Sequence, residues 1–177
     1  WGLRVTDLMQ GPVYGIETEE SLIDSRLRTI FNYDSLFGTV INRFITQAIA
    51  QHPLTVYGKG GQTRGYINIQ DTMQCIHAAE QNPAASGQLN IYNQIMETFT
   101  VNDLASMVQE AGNELGYNVK VKQIKNPRIE EEEHYYNPSY QGLVKLGVRP
   151  NYLTKNSIKR MMKIVNNYRE NIHLDNI

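Results

Sequence analysis

One segment constrains the fold more than any other: Leu54 to Asp71, LTVYGKGGQTRGYINIQD. An apolar strand-like run, Leu54 to Tyr57, enters a turn holding Gly58, Gly60 and Gly61. Gln62, Thr63 and Arg64 follow, and a second alternating run, Tyr66 to Gln70, ends on Asp71. Alternation marks strands, and clustered glycines let the chain turn sharply between them. Glycine also lets the backbone present N–H groups, and Arg64 supplies a planar, permanent cation, a pair that suits a diphosphate. Tyr57 suits a base or sugar ring. A hairpin turn between two strands explains the glycines by themselves. It does not explain Arg64, because a turn needs no cation at its exit. The spacing fits neither a P-loop nor the dinucleotide fingerprint.

The flanking chain alternates strands with helices. Leu3 to Met9 reads as a short strand, ended by the turn-rich Gly11 to Gly15. Glu17 to Asp34 is polar and irregular, with one helical turn. Leu36, Val40, Ile41, Phe44, Ile45, Ala48 and Ile49 recur at helical spacing, and Pro53 closes that helix. Asp71, with Gln74 three residues on, reads as the N-terminal cap of a helix carrying Met73, Ile76, His77 and Ala79. Asn82 to Gly87 is a loop and Gln88 to Asn93 a strand. Thr100 caps a helix whose stripe is Val101, Leu104, Ala105, Val108, Ala111 and Leu115, ended by Gly116. Val119 and Val121 mark another strand, Asn126 to Ser139 a charged loop, and Tyr140 to Leu146 a short helix. Thr154 caps a last helix with Ile158, Met161, Met162, Val165 and Tyr168. Such alternation predicts an α/β architecture with parallel strands.

Composition removes several classes of function. With 17 basic and 18 acidic residues the net charge is −1, so no global basic field draws nucleic acid. The lone cysteine, Cys75, leaves no internal disulfide and reads as a small buried residue beside Ile76 and Ala79. No apolar run approaches the roughly 20 residues of a membrane span. His52, His77, His134 and His173 show no metal spacing, and no serine elbow appears. The sequence begins at Trp1, inside a strand-like run, and is expected to be a piece of a longer protein.

Other polar residues fall into three groups. Arg128 follows Asn126-Pro127 in extended chain, and Glu130 or Glu131 could orient its guanidinium or accept from ribose hydroxyls. Thr39 lies one helical turn before Arg43, and a long Arg beside an apolar stripe often only reaches for water. Arg4, Thr6, Asp7 and Gln10 crowd the first strand and its exit, where ligands meet the carboxyl ends of strands in open α/β sheets. The Gly11 to Gly15 turn explains these last residues about as well.

The order of these pieces resembles the C-terminal half of the extended short-chain dehydrogenases that modify nucleotide-sugars. LTVYGKGGQTRGYINIQD is similar to their diphosphate-gripping segment, and GQLNIYNQ, TVNDLA and LGVRP to their downstream segments. WGLRVTDLMQGPVYG, FGTVINRF and NPRIEEEEHYYN further resemble those members that act on UDP-glucose and sulfite. The resemblance implies a Rossmann-type fold with a smaller substrate-binding domain, and NAD as cofactor. Residues 1–177 would then be the nucleotide-sugar-binding part with the last Rossmann strands, the NAD-binding half lying upstream. It implies Arg64 and Arg128 on the diphosphate, Tyr57 against uracil, and Gln62, Thr39 and Arg43 bordering the nucleotide. Asp7 and Gln10 would meet sugar or phosphates, Glu130 or Glu131 the ribose, and Thr6 the nicotinamide. It further implies a homodimer in cytoplasm or chloroplast stroma. The family's glycine fingerprint and Tyr-x-x-x-Lys pair are not in this sequence: Tyr135 meets Ser139 and Tyr136 meets Tyr140 at the Lys position. No catalytic residue is therefore expected here. A UDP-sugar epimerase or dehydratase and a non-catalytic nucleotide-sugar binding module remain the alternatives.

Overall fold

A computed structural model describes residues 1–127 and 136–177. In chain order the elements are β1 (Val5–Gln10), β2 (Val13–Tyr14), α1 (Glu19–Ile23), α2 (Val40–Ile49), β3 (Leu54–Tyr57) and β4 (Thr63–Asn68). There follow α3 (Ile69–Gln81), β5 (Leu89–Gln94), β6 (Glu97–Thr100), α4 (Val101–Glu114), β7 (Val121–Ile124), α5 (Gln141–Lys145) and α6 (Lys155–Asn166). Among the described residues no helix is long and apolar enough to cross a membrane.

The chain divides into two compact units. The first holds Trp1–Arg28, Arg64–Thr98 and residues 136–152. In it β1 pairs with β5 in parallel, Val5 opposite Leu89 through Gln10 opposite Gln94, and β2 pairs with β4, also in parallel. Strand alternation sends Thr6, Leu8 and Gln10 to one face of β1, and Val5, Asp7 and Met9 to the other. The core gathers Ile67, Cys75, Ala78, Met96, Leu143 and Val148, with Leu8, Val13 and Tyr92 packed against it. Val5, Met9, Leu89 and Ile91 remain exposed.

The helix α3 begins earlier than its sequence suggests. Asn68 is the cap, its side chain accepting from the Gln70 N–H at 2.9 Å. Asp71 is instead fully buried one turn in. Its carboxylate accepts from the Asn151 backbone N–H (2.8 Å), the Asn151 side-chain amide (2.5 Å) and Gln74 (3.1 Å), tying the segment after α5 to α3. The buried face of α3 is Asp71, Thr72, Cys75 and Ala78, whereas Met73 and Ile76 face outward.

The second unit holds residues 29–63, 99–127 and 153–177. Helices α2, α4 and α6 pack pairwise. Their buried residues include Phe44, Ile45 and Ile49 of α2, Leu104 and Val108 of α4, and Ile158 and Met162 of α6. Thr100 and Thr154 close capping boxes at the starts of α4 and α6, as their positions predict. Tyr168 lies beyond α6 and is half exposed. Leu36 is exposed and outside α2: the Asp34 carboxylate accepts from the Leu36 and Phe37 N–H groups, each at 2.8 Å, and holds a separate turn before Gly38. Leu54 and Val56 of β3 are fully buried, and β3 pairs in parallel with β7, Leu54 opposite Val121. The glycine turn is thus no hairpin, because β3 and β4 belong to different sheets.

Candidate functional site

In the second unit the polar groups collect where β3 ends. Gly58 and Gly60 hold φ angles of +60° and +74°, which glycine adopts without strain. Asn102, in the first turn of α4, grips the turn twice. Its N–H donates to the Gly60 carbonyl at 3.1 Å and its side-chain amide to the Lys59 carbonyl at 2.9 Å. A helix start thus helps to fix the turn.

Tyr57 lies at the mouth of this turn, half-buried. The Arg43 guanidinium sits 4.2 Å from its ring centroid, closer than to Phe44 at 5.6 Å. A cation over an aromatic face is worth about 0.5–2 kcal/mol, more as water is excluded. Gln62 is 3% exposed and donates to the Tyr57 carbonyl at 3.4 Å. Thr39 occupies the cap position of α2, but its side chain makes no capping bond. Among the described residues its Oγ1 and the Gln62 Oε1 are buried without a hydrogen-bond partner. The structure thus brings Arg43, Tyr57 and Gln62 together, with Thr39 one turn before Arg43.

In the first unit, Thr6 is half-buried on β1 while Asp7 and Gln10 are exposed. Asp7 and Gln10 point to opposite faces of β1, so they do not converge. Gln10 does approach the Arg64 segment. A Cβ on Gly11 would lie 3.0 Å from the Gly65 carbonyl oxygen, so the residues following Gln10 and Arg64 are in backbone contact. Arg64 itself is half-buried. Arg128, Glu130 and Glu131 lie outside the described residues.

Sequence reasoning missed Asn102 and Gln47. For Asn102 the signal is an amide two residues after a capping threonine, in reach of a glycine turn. For Gln47 it is a long polar side chain on a helix whose neighbours Phe44, Ile45, Ala48 and Ile49 are all buried. Among the described residues no cluster of three or more His, Cys, Asp or Glu could hold a metal ion.

Residues 28–93 match the NAD dependent epimerase/dehydratase family. Solved structures of similar fold include a UDP-glucose 4-epimerase of Thermotoga maritima with UDP-glucose, with TM-score 0.69 and 16% identity over 94% of this chain and 47% of that one. A Thermus thermophilus UDP-glucose 4-epimerase in complex with NAD gives TM-score 0.65 and 21% identity over 92% and 46%. At such identities the likeness shows the fold, which is of the Rossmann type.

Along nearly its whole length the chain is similar to UDP-sulfoquinovose synthases. Identity to the chloroplastic enzyme of Spinacia oleracea is 47% over 97% of this chain and 36% of that protein. Identity to the enzyme of Sulfolobus acidocaldarius is also 47%, over 92% and 41%. The chain therefore spans roughly two fifths of the length of these curated relatives, 36% and 41%.

Proposed function

We propose that this chain supplies the UDP-sugar site of a UDP-sulfoquinovose synthase, which converts UDP-glucose and sulfite to UDP-sulfoquinovose for sulfolipid synthesis. The observation that carries the reading is 47% identity to such an enzyme across 97% of this chain. What supports the assignment of the site is the Arg43–Tyr57–Gln62 group beside a rigid glycine turn. In this reading Tyr57 and Arg43 face the base, Thr39 and Gln62 border the nucleotide, and Arg64 and Arg128 grip the diphosphate. Planar guanidinium groups suit such oxyanions because they bind two oxygens at once. Asp7 or Gln10, which lie on opposite faces of β1, meets the sugar or phosphates, and Glu130 or Glu131 the ribose. Held by its nucleotide, the sugar is positioned for chemistry performed by other residues, and such remote binding energy lowers the barrier.

NAD is the proposed cofactor of the whole protein, and it would supply a hydride acceptor and donor. The described residues do not by themselves form its site. Thr6, a single half-buried hydroxyl on β1, is no cradle for a dinucleotide. A homodimer, in cytoplasm or chloroplast stroma, belongs to the same proposal and rests on the family resemblance.

Calorimetric titration of the full-length protein with UDP-glucose tests the site. Arg64→Ala is expected to weaken binding by about tenfold or more, the loss of charge-assisted hydrogen bonds. Wild-type affinity in that variant would remove Arg64 from the site. Product analysis with and without sulfite tests the reaction. Turnover to a simple epimer without sulfite would favour a UDP-sugar epimerase instead.

A further inference from the structure

In a parallel strand pair, successive residues of one strand turn their N–H and C=O groups to opposite edges. Leu54 donates to the Lys120 carbonyl at 2.8 Å and Gly58 to the Ile124 carbonyl at 2.9 Å, so the even-numbered residues of β3 face β7. Thr55 faces the other edge, which no strand among the described residues occupies. Helix α2 occupies it with side chains. Gln47 accepts from the Thr55 N–H at 3.0 Å and donates to Thr55 Oγ1 at 2.8 Å. Arg43, one turn earlier, donates to the Thr55 carbonyl at 3.0 Å. One residue of the strand edge is thus completed by two residues of one helix face.

Gln47 is fully buried. Leaving either end of a buried amide unpaired costs free energy, so Gln47 is sensitive to position in a way that an apolar side chain is not. Sliding α2 along β3 breaks both Gln47 bonds at once. The same slide carries the Arg43 guanidinium off the Tyr57 ring, over which it is 4.2 Å from the centroid.

We infer that Gln47 is a positioning residue for base recognition: it locks α2 against β3 so that Tyr57, with Arg43 on its ring, presents a fixed surface to the nucleotide base. The inference rests on the reading of Tyr57 as the base-facing residue. Gln47 touches no ligand and acts through Thr55.

The test is competitive binding of UDP and ADP to the full-length protein, because these share the diphosphate and differ in the base. Gln47→Met keeps the side-chain length and loses both bonds. It is expected to lower the ratio of UDP to ADP affinity by about fivefold or more. A smaller fall overturns the proposal, since a merely structural role lowers thermal stability and weakens both nucleotides alike. Should Gln47→Met not fold, Thr55→Val loses the Oγ1 bond alone, and a fall in the ratio of less than about twofold overturns the proposal in the same way. Tyr57→Ala separates the two readings. If it leaves the ratio unchanged, the base assignment fails and this inference with it. If it lowers the ratio and Gln47→Met does not, only the role of Gln47 fails.

Discussion

Replacing Gly60 with alanine adds one methyl group to the most constrained point of the glycine turn. Its φ of +74° lies in the left-handed region, where a Cβ costs about 1–2 kcal/mol. The methyl would also stand 2.3 Å from Asn102 Oδ1 and 2.6 Å from Val56 Cγ1. Val56 is fully buried in β3 and β-branched, so it has little freedom to move. Asn102 can move only by giving up its 2.9 Å bond to the Lys59 carbonyl, at about 1 kcal/mol. Strain, crowding and the lost bond together predict a destabilisation of about 3 kcal/mol. Gly116→Ala is the matched control. Its φ is +88°, but a Cβ there meets nothing within 4 Å, so only the strain of about 1 kcal/mol remains. Urea unfolding of both variants, compared at equal slope, reads the difference, expected at about 2 kcal/mol. Adding Asn102→Ala is expected to shrink the Gly60→Ala penalty without abolishing it, because Val56 stays in place. Gly60→Ala and Gly116→Ala variants of equal stability would refute the argument that close packing, and not backbone angle alone, demands glycine at this turn.

Burial pushes the Cys75 thiol up to about 11, so at pH 8 only about a thousandth is thiolate. Iodoacetamide is therefore expected to leave the native protein unmodified over hours and to label it fully in denaturant, and rapid native labelling would contradict the buried placement. Desolvation raises the Asp71 pKa above its ordinary 3.8, although the Asn151 hydrogen bonds pull the other way. The native state then binds the proton more readily than the unfolded chain, so the Asp71 contribution to stability falls as pH rises from 3.8 through its raised folded value. Asp71→Asn is expected to flatten that slope in urea midpoints measured from pH 4 to 7, and an unchanged slope would refute the linkage. Thr100→Ala removes the hydroxyl that accepts from the Asp103 N–H at 3.0 Å and is expected to cost about 1 kcal/mol, read from thermal melts. A melting temperature equal to the wild type would show that the capping box is not needed to start α4.

The sequence discloses what is local. Leu54 to Tyr57 is a strand with the predicted bounds, and Thr100 and Thr154 cap helices because side-chain caps act over three residues. What it hides is non-local. The glycine turn carries the same signal whether β3 and β4 pair with each other or, as here, with β7 and β2, which are remote in sequence. Asp71 imitates a cap because its type and spacing suit one, and only the distant Asn151 explains why it is buried instead. Of the candidate site, Tyr57, Gln62 and Arg43 are legible from their setting by resemblance. Gln47 and Asn102 are not, since each acts on backbone groups of a segment that the sequence does not place beside it.

The side-chain closure of β3 has a consequence outside recognition. A bare strand edge is a template on which another chain can add a strand, and repetition of that step builds fibres. At Thr55 both backbone groups are already engaged by Arg43 and Gln47, so an incoming strand finds neither donor nor acceptor there. The contacts that steady α2 also stop the growth of the β3–β7 sheet. Loss of Gln47 would free the Thr55 N–H at that edge and leave its carbonyl held by Arg43.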